Sequence, residues 1–322
     1  MKLNSRYVFL SVGMIVGFSV FGAHYLWGHS KGFAQGYCLK EYPLTNPNLS
    51  CDEFEDANTR LRALFADMQE FEKRIKQDGS ATRISIWVRD LQTNQWSALN
   101  ETEQYIPASL LKLPLMLTYY NFAELNPSFL DLQTTFTERS NSNQLEHFKP
   151  GTELEVGKTY QVSDLVERMI VESDNEATDI LIKNVDKDFY QNTLIDLGIQ
   201  IPTQDGPIDY VTAKSYANIF RILYNASYLN RDYSEKALSI LSNTKFEGLS
   251  RLLPKEIRVA HKFGERETLD QNGNVIARQL HDCGIVYKNE SPYSICVMLE
   301  GKDFDNMLTV ISDASKLIYD RM

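Results

Sequence analysis

Strand-like runs stand at both ends of the body of this chain, and helical patterns fill the space between them. Near the start, Arg83 to Leu91 (RISIWVRDL) and Gln95 to Leu99 read as two strands joined by a turn at Thr93-Asn94. Near the end, Ile257 to Gly264, Gln279 to Tyr287 and Tyr293 to Leu299 read as three more, with turns at Asn272-Gly273 and Lys288 to Pro292. Strands so far apart in sequence, with helices between, predict an α+β fold: one antiparallel sheet in which N- and C-terminal strands meet, flanked by helices.

The helices are legible from apolar spacing. Phe54, Leu61, Leu64, Met68, Phe71 and Ile75 mark one ahead of the first strand. Others are expected from Ser109 to Glu124, from Ser163, after Asn175 and from Asp188 to Leu197. Thr212 is read as the N-cap of a further helix whose apolar face is Tyr216, Ala217, Phe220 and Leu223. A final amphipathic helix carries Met307, Leu308, Ile311, Leu317 and Ile318.

Ahead of this body, Tyr7 to Trp27 contain no Asp, Glu, Lys or Arg, and a helix needs about 20 mostly apolar residues to cross a bilayer. Lys2 and Arg6 precede the run, which places the N-terminus inside and the body outside. The expected organisation is an anchor over 1–28, a stalk over 29–51 rich in Gly, Pro, Asn and Ser, and a catalytic domain over 52–322. A cleaved signal peptide ending near Val20-Phe21-Gly22 is the alternative, and both readings export the domain. Of the 322 residues, 43 are Asp or Glu and 33 Lys or Arg, a formal charge of -10, which argues against nonspecific binding to nucleic acid. The four cysteines fall into two local pairs, Cys38 with Cys51 and Cys283 with Cys296, in a compartment that tolerates disulfides; buried thiols are the alternative. The Lys288 to Pro292 turn would bring Cys283 and Cys296 nearly opposite one another on adjacent strands. With no Cys-x-x-Cys and no His cluster, neither metal nor cofactor is implied.

Three short motifs carry chemistry. Ser109-Leu110-Leu111-Lys112 is a Ser-x-x-Lys, which on a helix puts the amine within reach of the hydroxyl. A serine hydroxyl needs a base to become a nucleophile, and a half-buried lysine can serve. The apolar neighbours Leu110, Leu111, Leu113, Leu115 and Met116 supply that burial, and Pro114 is expected to remove a backbone bond to residue 110. Ser173-Asp174-Asn175 sits between two helical segments, where it reads either as an N-cap cluster or as a proton relay and substrate-orienting pair. His261-Lys262-Phe263-Gly264 closes a strand-like run, and a lysine beside a glycine lets charge and backbone approach an anionic group.

Each motif alone is weak. Together and in this order they resemble the Ser-x-x-Lys, Ser-Asp-Asn and Lys-Thr-Gly set of class A β-lactamases and penicillin-binding proteins. The likeness extends through SLLKLPLML, VESDNEATDILI, HKFG, DCGIVY, YSICVML and the final helix, about Asp52 to Met322. It implies a β-lactamase/transpeptidase-like fold and a serine hydrolase acting on a β-lactam or a peptidoglycan peptide ending like D-Ala-D-Ala. Ser109 would form the acyl-enzyme, Lys112 would assist as base, and Ser173 and Asn175 would handle proton and substrate. Lys262 would hold the substrate carboxylate region beside Gly264. The oxyanion hole would use the backbone N–H of Ser109 and of Arg266.

Two departures stand out. Phe263 replaces the hydroxyl residue of the family motif, with His261, Arg266 and Arg278 as the cations that would compensate. The stretch from Asn175 to Thr212 is short for an omega loop and has no Glu-x-x-Leu-Asn; the connection Asp186 to Val211 offers Asp188, Asp196, Asp205 and Asp209. A noncatalytic, membrane-tethered module that keeps the fold and binds peptidoglycan is the competing reading.

Overall fold

The first and last strands of the body lie side by side in the computed structural model, which describes residues 51–202, 209–289 and 291–322, with side chains from residue 59. Strand β1 (Arg83–Asp90) runs antiparallel to β9 (Tyr293–Gly301), with Arg83 opposite Glu300 and Asp90 opposite Tyr293. With β2 (Trp96–Leu99), β7 (Arg258–Leu269) and β8 (Val275–Tyr287) they form an antiparallel sheet of order β2-β1-β9-β8-β7. Two small pairs stand apart from it, β3 (Gln104–Tyr105) with β6 (Val211–Thr212) and β4 (Gln133–Thr135) with β5 (Thr159–Gln161). Met1–Asp56 and Ala57–Met322 are separate units, and the sheet belongs to the second.

Both faces of the sheet are covered, so its strands are apolar on both sides. On β9, Ile295, Val297 and Leu299 pack in one core with Leu64, Met68 and Phe71 of helix α1 (Cys51–Asp78) and Met307, Ile311 and Ile318 of helix α8 (Phe304–Arg321). Their neighbours Cys296 and Met298 point to the other core, as the two-residue period of a strand requires. At the centre of that second core runs α2 (Lys112–Leu125), which buries residues on every side, among them Leu113, Leu117, Tyr119 and Tyr120. Around it stand α3 (Val162–Val171), α4 (Asn175–Asn184), α5 (Lys187–Asp196), α6 (Ala213–Tyr224) and α7 (Arg231–Leu241). Side chains stop the helix starts: Asp174, Asp186, Asn230 and Asp303 each accept a first-turn N–H. Thr212 forms a capping box with Ser215, as its place before the apolar face led one to expect.

Two sequence expectations are corrected here. The helix does not begin at Ser109: Ala108–Leu111 form a 3-10 turn and α2 starts at Lys112. Pro114 is therefore in the first turn of α2, where its missing N–H would have had no intrahelical partner in any case. The β7–β8 hairpin is also longer than expected, because residues 265–269 and 275–278 continue the ladder beyond the two strand-like runs.

Cys283 and Cys296 are register partners on β8 and β9, 3.9 Å apart at Cα, and form a disulfide. Residues 7–27, Cys38 and the side chain of Cys51 lie outside the described residues, and with them the expected anchor and the first cysteine pair. Among the described residues no helix is long and apolar enough to cross a membrane.

Candidate active site

The turn that carries Ser109 is fixed to the sheet from behind. The Ile106 N–H donates to Gln279 Oε1 (2.9 Å), and His281 Nε2 donates to the Ile106 carbonyl (2.9 Å). His281 is fully buried, and burial pushes its imidazole down to about 4, so it stands neutral with the proton on Nε2. Ala108 follows with φ 49°, a left-handed conformation that costs a residue with a Cβ about 1–2 kcal/mol. Such strain persists where the surroundings enforce it. On the other side of the turn, a Cβ at Gly264 would stand 2.9 Å from the Pro107 carbonyl and 3.0 Å from the Leu110 nitrogen. Glycine there lets β7 meet the Ser109 turn backbone to backbone.

Lys112, the first residue of α2, is buried. Its Nζ donates to the Ser173 carbonyl (2.6 Å), Ser173 Oγ (3.1 Å) and Asn175 Oδ1 (2.5 Å). Burial pushes the amine down to about 8, and the carboxylates of Glu146, Asp174 and Glu265 hold it from falling further. Lys262 reaches the same hydroxyl from β7: its Nζ donates to Ser173 Oγ (2.9 Å) and to the Phe263 carbonyl (2.8 Å). It has no exposed surface, and burial followed by the charge of Lys112 pushes it well below the ordinary lysine range. Ser173 thus joins two lysines through one oxygen, in a backbone of φ 54°.

The N-cap reading of Ser173-Asp174-Asn175 holds. Asp174 is the N-cap of α4, accepting from the Glu176 and Ala177 N–H groups, and is tied to Asn143 (2.9 Å) and Arg168 (2.8 Å). Its neighbours face the lysines. Asn175 takes Lys112 on Oδ1 and gives Nδ2 to Glu146 Oε1 (2.7 Å), while its N–H donates to Asn143 Oδ1 (2.7 Å).

Ser109, Lys112 and Asn175 line one cleft of about 890 Å³, with Glu146, Glu265 and Arg266 on its wall. Tyr190 and Ile201 lend apolar surface. The backbone of β7 contributes through its parity. His261 and Phe263 direct their carbonyls away from β8, to Thr244 Oγ1 (2.8 Å) and Lys262 Nζ. In an antiparallel edge strand alternate residues turn both backbone groups outward. The register is unbroken to Thr268, so Glu265 turns its N–H outward and Arg266 turns its own toward β8.

The sequence of this region matches the profile of the beta-lactamase enzyme family over residues 67–322. The chain belongs to that family. The fold of this β-lactamase-like serine hydrolase is similar to that of the TLA-1 extended-spectrum β-lactamase, at 20% identity and a TM-score of 0.65, over 81% of this chain and 98% of that one. It is similar also to a class A β-lactamase from Bacteroides cellulosilyticus (21% identity, TM-score 0.62, 79% of this chain and 97% of that one). PBP-A is a third (17%, 0.62, 78% and 95%). Comparison with curated proteins returns no match.

The expected compensating cations divide. Arg266 is exposed on the cleft wall. His261 is not in the cleft: it is buried on the opposite face of β7, with Nδ1 2.9 Å from Asp282. Arg278 is engaged by Glu267 (2.6 Å). Phe263 packs on Phe246, with ring centroids 4.1 Å apart, in the core beneath α8. Of the four acids offered by the connection Asp186 to Val211, Asp188 and Asp196 are exposed on α5, Asp209 pairs with Arg83 (3.2 Å), and Asp205 lies outside the described residues. Sequence reasoning missed Asn143, Glu146, Glu265 and His281, and no spacing pattern marks any of them.

Proposed function

We propose that the protein is an acyl-transferring serine hydrolase in which Ser109 attacks the amide carbonyl of a β-lactam or of a D-Ala-D-Ala-like peptide. The observation that carries this reading is the Ser173 hydroxyl held by both Lys112 and Lys262 beside the Ser109 turn. A lysine pushed to about 8 is neutral in a useful fraction of molecules near neutral pH. Its neutral amine takes the Ser109 proton, for which Nζ must exchange one of its bonds to Ser173 or Asn175 for the Ser109 hydroxyl. The Oγ–C bond forms and the carbonyl electrons move onto oxygen. The N–H groups of Ser109 and Glu265, rather than Arg266, are the donors assigned to that oxyanion. Collapse breaks the C–N bond, and the proton passes from Lys112 through Ser173 to the leaving nitrogen. Lys262 and Arg266 are assigned to the substrate carboxylate.

Deacylation is assigned a slow rate, because the acids described between Asn175 and Thr212 do not line the cleft. The uncharged run Tyr7 to Trp27 supports a membrane anchor with the domain outside the cytoplasm, where a Cys283–Cys296 disulfide is stable.

The full chain exposed to a fluorescent penicillin should become covalently labelled, with peptide mass spectrometry placing the adduct on Ser109. Labelling that survives in Ser109→Ala would overturn the assignment. A folded protein that binds peptidoglycan without ever forming an adduct would instead support the noncatalytic module.

A further inference from the structure

A second cavity, of about 320 Å³, lies between α6 and strands β1 and β9 and shares no lining residue with the catalytic cleft. Three basic side chains, Arg89, Lys214 and Arg221, line it, and no Asp or Glu does among the described residues. On α6, Lys214, Asn218 and Arg221 are spaced four and three residues apart and so share a face. Arg89 on β1 stands directly opposite Ser294 on β9. A trio of cations in a chain of net charge -10 calls for a physical account.

Their partners do not supply one. Arg221 Nε donates to Asn218 Oδ1 (2.8 Å), a neutral group. Among the described residues the one ion pair of Lys214 is with Glu101, 3.7 Å away at the surface. Arg89 makes no ion pair among the described residues, its Nε is buried without a hydrogen-bond partner, and so is Ser294 Oγ across the ladder from it. Burial, and then the charge of Arg221, pull the Arg89 guanidinium below its ordinary range, so the two guanidinium groups repel across the cavity. Trp87 gives the cations a fixed seat, with Arg89 Cζ 5.5 Å and Lys214 Nζ 5.3 Å from its ring centroid. Buried polar atoms without partners and unpaired like charges are costly in a folded protein unless something completes them.

We propose that this cavity is a binding site for a small oxyanion, a carboxylate or phosphate group, held by Arg89 and Arg221 with Lys214 at its rim. A guanidinium fork matches either group with paired N–H···O bonds. An anion placed between Arg89 and Arg221 removes their repulsion and gives the unpartnered donors an acceptor. The volume suits a small ligand or the charged end of a larger one. The site stands on its own residues and does not depend on the reaction assigned to Ser109.

The test uses the full chain in detergent at constant ionic strength, with chloride exchanged stepwise for inorganic phosphate in one arm and for acetate in the other. The melting temperature should rise along a saturable curve in at least one arm, and the responding arm assigns phosphate or carboxylate. Arg221→Gln and Arg89→Gln should each weaken the apparent affinity about 10-fold or more, while penicillin labelling stays unchanged. Lys214→Gln, at the half-exposed rim, keeps the fold and should weaken binding to a smaller degree, so a misfolded arginine variant does not end the test. A linear, unsaturable response to both anions, or a saturable one that all three variants retain, would overturn the proposal.

Discussion

The Tyr216 hydroxyl donates to the Leu110 carbonyl across 2.7 Å in the buried core. Leu110 belongs to the 3-10 turn ahead of α2, so its carbonyl stands outside the helix ladder, and Pro114 has no N–H to offer it. A side chain of α6 therefore satisfies the acceptor next to Ser109 and ties the candidate nucleophile's turn to a helix more than a hundred residues later. Removing one partner of a buried hydrogen bond leaves the other unsatisfied, at about 1–3 kcal/mol. Tyr216→Phe should lower the melting temperature by several degrees and slow penicillin acylation, because the turn loses its tether. Unchanged stability and acylation would show that another group satisfies Leu110.

With Lys112 in the proposed base role, the acylation rate should depend on pH. The amine is pushed to about 8 from an ordinary value near 10.5, so its neutral fraction grows as pH rises through 8. The second-order rate constant for acylation should climb from pH 6 toward a plateau above 8. Lys112→Arg keeps the charge and cannot act as base, and should cost about 10²–10⁴-fold. A wild-type profile flat across this range would remove Lys112 from the base role and leave it as a positioning cation.

Glu265 links the site to stability. Its carboxyl is raised from 4.5 to about 7 by burial and by the charge of Glu146, against the N–H groups of Phe148 (2.9 Å) and His147 (3.0 Å) that favour the ionised form. Between pH 4.5 and 7 the folded protein holds a proton that the unfolded chain has released. Stability from this group is therefore full below about 4.5 and declines as pH rises to about 7. Glu146→Gln removes one cause of the shift and should flatten that decline in urea unfolding between pH 5 and 8. Parallel curves for the two proteins would show that Glu146 does not act on Glu265.

How far the sequence alone reaches is clear from particular residues. The five strands of the main sheet, the helices other than α7 and the Thr212 cap are legible because their signals are local: two- and three-to-four-residue periods and a capping hydroxyl. The meeting of β1 with β9 followed from order alone. Ser109, Lys112, Ser173, Asn175 and Lys262 were legible as motifs and do converge. The rest was not, because it depends on contacts made across the fold. Asn143 orients Asn175 from a 3-10 turn (Ser142–Leu145) more than thirty residues away. Glu265 rather than Arg266 turns its N–H away from β8 because of strand parity, which only the pairing of β7 with β8 fixes. His261, legible as a cation near the site, turned out to belong to the other face of the sheet through Asp282.

The balance between acylation and deacylation is the last consequence. Both a penicillin-binding peptidase and a β-lactamase begin with attack by a serine, so the convergence at Ser173 does not separate them. Deacylation needs a carboxylate free to take a proton from water, and such general-base help contributes about 10²–10⁴-fold. Three glutamates line the cleft. Glu265 is committed by both oxygens to the N–H groups of His147 and Phe148, and Glu267 to Arg278. Glu146 touches the catalytic network, but one of its oxygens already accepts from Asn175. The expected behaviour is fast acylation followed by a long-lived adduct. In stopped-flow with a chromogenic cephalosporin this gives a burst of about one equivalent and then a slow steady state. Rapid multiple turnover would instead require a working base; if it is then abolished in Glu146→Gln while the burst remains, Glu146 is that base. Turnover that survives in Glu146→Gln would point to Asp205, the one acid between Pro202 and Asp209 in the sequence, and Asp205→Asn would decide it.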